Sequence, residues 1–123
     1  MNTDGDCFQV AGRYVLDHPT LSKDVYAFVH GIVNGQGPLS GLAFTHAWIE
    51  RDGNVIDHSN GRKIEMPIEL YYTLGGIKTT VRYTPREAAN KMLESGHYGA
   101  WDMPETEQEL FLKRIHKHGH TSS

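Results

Sequence analysis

The 123-residue chain contains a single cysteine, Cys7, and the chemistry open to that thiol is the first question the sequence raises. A thiol becomes a nucleophile when its thiolate is favoured, either by the amide dipoles at a helix N-terminus or by a nearby histidine. Asp6-Cys7-Phe8-Gln9 has the form of a helix start, with Asp6 as side-chain cap and Gln9 placed to reach back to the cap's own amide. Cys7 then falls in the first helical turn. The charge of Asp6 opposes a thiolate, so a partner base matters more than the helix. One cysteine excludes an intramolecular disulfide and a cysteine-based zinc cluster. It leaves packing, intermolecular pairing and reactivity open.

A base and its orienter come from a hairpin. Asp52-Gly53 is a dipeptide favoured in two-residue turns, where both central residues adopt positive φ. With the turn centred there, Trp48 opposes Asp57 and His46 opposes Ser59. Residues two apart share a face, so His46, Trp48, Asp57 and Ser59 lie together, with Asp57 diagonal to His46 and within reach of an imidazole N–H. A carboxylate in that position fixes the tautomer of the histidine and stabilises the imidazolium that forms. A three-residue turn would send Asp57 to the opposite face and break the pairing.

The elements that must position these groups follow from periodicity. Phe8, Ala11 and Val15 recur on one helical face, predicting a helix over about residues 7–16 that Pro19 ends. Residues 24–33 are a nearly continuous β-branched and aromatic run, the form of a strand buried on both faces, in which His30 is expected to be buried and hydrogen-bonded. Strands are predicted over about residues 42–50 and 54–58, separated from the first by a glycine-rich connection at residues 34–41 that reads as a mobile lid or a plain link. Met66-Pro67 opens a short helix that Gly75-Gly76 ends. Residues 77–83 alternate as one half-buried strand. Thr84-Pro85-Arg86-Glu87 is a capping box whose helix Gly96 stops. A last helix starts near Pro104. The order is α, three strands, short α, strand, α, α: an α+β domain with an N-terminal Cys-bearing helix packed on a small antiparallel sheet, and C-terminal helices.

Cys7 heading a helix, His46-Ala47-Trp48-Ile49-Glu50 on one strand and Asp57 on the next resemble the papain-like superfamily, most closely its transglutaminase-like and NlpC-type cell-wall peptidase branches. The resemblance implies a papain-like core and acyl transfer through a thioester, with Cys7 as nucleophile, His46 as general base and then acid, and Asp57 as orienter. It also suggests a small phage or bacterial accessory protein acting on a protein or peptide. Phe8 stands where transglutaminases usually have Trp, and the Ser-Gly-Phe that commonly follows the cysteine of NlpC-type peptidases is absent. Asn2, Gln36 and the Cys7 backbone N–H are alternative oxyanion donors. Trp48, Gln36, Ser59, Tyr98 and Trp101 are the candidate substrate contacts. Two readings compete: a non-catalytic adaptor or inhibitor of the same fold that binds a host protein, and a nucleotide or nucleic-acid enzyme using His46 and His58 without Cys7.

Composition sets outer bounds. Twelve Lys+Arg against fifteen Asp+Glu leave a net charge of −3 with the eight histidines neutral, so no general attraction to nucleic acid or anionic lipid is expected. A hydrophobic fraction of 38% suits one globular domain, placed at residues 1–115 with a flexible tail at residues 116–123. No apolar run approaches the roughly 20 residues that cross a bilayer, and the polar N-terminus lacks a signal-peptide pattern, so a cytoplasmic location is expected. Neither cofactor nor structural metal is expected. His116, His118 and His120 converge only in a tail, which suits adventitious metal binding.

Overall fold

The computed structural model describes residues 6–20, 25–34 and 43–103. In chain order these form α1 (Asp6–Asp17), β1 (Ala27–Asn34), β2 (Ala43–Arg51), β3 (Asn54–Asp57), a 3-10 turn (Ser59–Gly61), β4 (Ile64–Pro67), α2 (Ile68–Gly75), β5 (Thr80–Tyr83) and α3 (Pro85–Ser95). The five strands make one antiparallel sheet in the order β4-β3-β2-β1-β5. The α+β class and antiparallel sheet read from the sequence are those of the structure.

The hairpin forms in the anticipated register. Asp52 and Gly53 take φ of 54° and 80°, and Ile49 pairs with Ile56, Glu50 with Val55 and Arg51 with Asn54. This register divides the sheet into two chemically different faces. Ala47 and Ile49 of β2 join Phe28 of β1 and Tyr83 of β5 under Cys7, Ala11 and Val15 of α1. On the opposite face Trp48, Val29, Val33 and Val55 pack against Ile68, Tyr71 and Tyr72 of α2. β1 is an interior strand buried on both sides, as its unbroken apolar run requires. Gly31 of β1 is needed there: a Cβ on it would lie 2.2 Å from the Trp48 ring, which spreads over the neighbouring strand.

Several boundaries differ from the sequence-based expectation. α1 begins at Asp6, whose carboxylate accepts the Asn60 backbone N–H from both oxygens at 3.0 Å, so its contact is long-range and not the local cap expected. β4 was not anticipated. Its alternation of half-buried Ile64 and Met66 with exposed Glu65 and Pro67 is only four residues long, and Pro67 reads equally well as a helix opening. At a sheet edge the missing N–H of Pro67 is tolerated. β5 is shorter than the expected strand because Ile77 is used by the end of α2: Gly76, left-handed at φ 60°, donates to Thr73, and Ile77 N–H reaches Tyr72 O at 2.9 Å. The capping box at Thr84 and Glu87 forms, and Gly96 ends α3 in the left-handed conformation. Asn2, Gln36, the helix expected from Pro104 and the histidine-bearing tail lie outside the described residues. Among the described residues no helix is long and apolar enough to cross a membrane.

Candidate active site

β2 and β3 are paired from the turn as far as Ile49 and Ile56. Beyond that point β2 continues back through His46 while β3 ends at Asp57, and the head of α1 comes in at this end of the sheet. His46 Nε2 donates to Asp57 Oδ2 at 2.9 Å. The diagonal contact inferred from side-chain parity is therefore present. The Cys7 thiol is a hydrogen-bonding and electrostatic partner of the same imidazole. With Nε2 committed to Asp57, Nδ1 is the nitrogen left for the sulfur. Cys7, His46 and Asp57 thus form one connected chain of groups, 2%, 8% and 3% exposed respectively.

Asp57 is held by more than the histidine. Its Oδ1 accepts the Ser59 hydroxyl at 2.6 Å and the Ser59 N–H at 3.1 Å, while Oδ2 also accepts the Tyr71 hydroxyl at 2.8 Å. Arg62 Nη2 stands 3.9 Å away. Burial favours the neutral acid, but these hydrogen bonds and the His46 charge prevail and hold the carboxyl well below the usual carboxylate range. For His46, burial lowers the pKa, and the hydrogen bonds and charges of Asp57 and Cys7 more than reverse it, lifting the imidazole to about 9. Tyr71 is pushed upward by burial and by Asp57, so it remains a neutral donor. The site therefore favours a charged imidazolium beside the anionic Asp57, with the Cys7 sulfur as its second partner.

The remaining candidates fall in different places. Ser59 is fully buried and orients Asp57, and Trp48, also fully buried, packs its ring 6.0 Å from that of His46 and 5.2 Å from that of Tyr71. Both support the site from within instead of facing a substrate. Tyr98 lies against Gly12, where a Cβ would come within 2.2 Å of its ring, so it covers α1. Trp101 packs against Phe28, His30 and Tyr83 and donates its indole N–H to Ser95 Oγ at 2.9 Å. It belongs to the packing around α3. His58 pairs with exposed Glu65 at 2.9 Å and is not joined to His46.

His30 is buried as expected, but neither ring nitrogen has a hydrogen-bond partner among the described residues. Phe8, Phe28, Tyr83 and Trp101 enclose it, and burial keeps it neutral by lowering its pKa to about 4.

The sequence reading also missed a second buried acid. Glu50 accepts from Trp48 Nε1 at 2.9 Å and from Tyr72 OH at 2.6 Å, and it pairs with Arg82. The signal was available, since Glu50 shares strand parity with His46 and Trp48. Tyr71 and Tyr72 were visible as a pair; their roles on two different carboxylates depended on the placement of α2. Among the described residues no group of three or more His, Cys, Asp or Glu side chains is arranged to hold a metal ion.

No known protein-family model, curated protein or solved structure matches this chain.

Proposed function

We propose that the protein is a small papain-like thiol enzyme that cleaves or transfers an acyl group from an amide or ester. The observation that carries this reading is the connected Cys7–His46–Asp57 chain at the head of a helix. The reactive state is the Cys7 thiolate beside the His46 imidazolium, with the proton held on His46, where the Asp57 carboxylate stabilises it. The thiolate attacks the substrate carbonyl carbon, forming a C–S bond. The Cys7 backbone N–H at the first turn of α1 is a donor for the developing oxyanion. As the C–N or C–O bond breaks, His46 returns its proton to the leaving amine or alcohol, leaving a thioester on Cys7. Water or an acceptor nucleophile then attacks the thioester carbon, its proton passes to His46, and the C–S bond breaks to release the acyl product and restore the thiolate–imidazolium pair. A peptide or protein is the proposed substrate, and a reducing compartment such as the cytoplasm is where such a thiol would operate.

Iodoacetamide labelling of Cys7 between pH 5 and 10 tests the reading. Rapid alkylation well below the ordinary thiol range near 8.5, abolished in His46→Ala, is the expected result. A second reading draws on the 2% exposure of Cys7: a binding protein that retains the fold and the buried thiol without turnover. Uniformly slow labelling, unchanged by His46→Ala, would replace the enzyme with that binder.

A further inference from the structure

The groove that reaches His46 has two ends of different character. It encloses about 370 Å3 on the α2 face of the sheet, within the range of small-molecule sites. Strand order fixes its direction: β1 lies at one end, β2 with His46 and β3 with Asp57 lie in the middle, and β4 lies at the other. The β1 end is largely apolar, built from Val33, Phe44 and Ile77 with exposed Leu74 as an outer wall, and Asn34 is its polar member. The β4 end carries Arg62 beside Ile64 and Met66, and His46 in the middle is the other cationic group among the lining residues. The Arg62 side chain is 51% exposed. Among the described residues its hydrogen bond is a long one, Nε to Ser59 O at 3.5 Å. Most of its five N–H donors are thus available, in the planar arrangement that fits a carboxylate. Asp57 Oδ2 is its ion-pair partner through Nη2 at 3.9 Å, a separation longer than a hydrogen bond.

We infer that this groove binds ligands that carry an aliphatic or aromatic group at one end and a carboxylate at the other. The apolar group occupies the Val33–Phe44–Ile77 end, and Arg62 holds the carboxylate. This goes beyond the thiol-enzyme reading: Cys7 does not line the groove, and binding there is measured apart from turnover.

N-hexylsuccinamate, an alkyl amide ending in a carboxylate, is the probe, with N-hexylsuccinamide as its neutral counterpart. Both are titrated into methyl-labelled Cys7→Ala, which binds without turning over, and into the wild-type chain as a check on that variant. Saturable shifts are expected at the methyls of Ile64 and Ile77, with the acid binding at least about fivefold more tightly than the neutral amide. Arg62→Ala should remove that preference. Leu74→Glu, on the exposed outer wall, should weaken both ligands about fivefold or more. Equal affinity for acid and amide, a preference surviving Arg62→Ala, or no shifts at Ile64 and Ile77 would overturn the inference. None of these outcomes bears on Cys7 alkylation, so the groove and the thiol chemistry fail separately.

Discussion

His46 sits where its two ring nitrogens serve opposite purposes: one is fixed by Asp57 and the other is left for Cys7. Its raised pKa has a sign that can be followed in folding. The unfolded histidine titrates near 6.5 and the folded one at about 9, so its stabilising contribution is complete below about pH 6.5 and is lost as pH rises through 9. Asp57 has the opposite dependence: its contribution is present above the unfolded value near 3.9 and is lost as pH falls through its depressed folded value. The urea midpoint should therefore fall at both extremes, and His46→Gln should flatten the alkaline limb. Asp57→Asn should bring the His46 titration, read by imidazole NMR, down by more than one pKa unit, because burial then acts without the opposing charge. Tyr71→Phe removes one of the four hydrogen bonds to Asp57 and should cost about 1 kcal/mol in chemical denaturation. The His46–Asp57 contact was legible in the sequence because parity across a two-residue turn is arithmetic. Ser59 was placed on the right face but given the wrong task; an Asp followed two residues later by Ser is also a local hydrogen-bonding pattern, and that is the use made of it.

At the scale of elements, the site depends on α1 meeting the end of a hairpin. Asp6, immediately before Cys7, grips the Asn60 amide in the turn that follows Asp57. Asp6→Ala should lower stability by only about 1 kcal/mol, since the contact is exposed, yet slow Cys7 alkylation severalfold by loosening the thiol's distance to His46. Thr84→Ala supplies the comparison: loss of the α3 capping box should cost about 1 kcal/mol and leave alkylation unchanged. Gly31→Ala tests the sheet, because its new methyl must displace Trp48 from beneath the site; a loss of about 1–3 kcal/mol in urea denaturation is expected, together with slower alkylation. Elements with strong local chemistry were readable, notably the Asp52-Gly53 turn and the Thr84 capping box. β4 and the shortened β5 were not, because a four-residue edge strand and a glycine-ended helix are decided by their neighbours.

For the whole molecule, the sheet separates two environments that the sequence shows only as alternating residues. One face is a largely apolar layer under α1 and α3; the other combines apolar packing with two buried carboxylates and the groove. The groove was not legible in the sequence, because its ends come from segments far apart in sequence and its direction emerges only from strand order. Glu50, held by Trp48, Tyr72 and Arg82, gives that arrangement one more consequence. His46, Trp48 and Glu50 project from β2 to the same side, and the groups that receive them come from β3, α2 and β5. A slip of β2 by one residue would present Ala47 and Ile49 to those waiting donors and strand two acids at once. A misaligned strand would leave those acids short of their partners, whereas the observed alignment gives Glu50 and Asp57 theirs and joins Asp57 to His46.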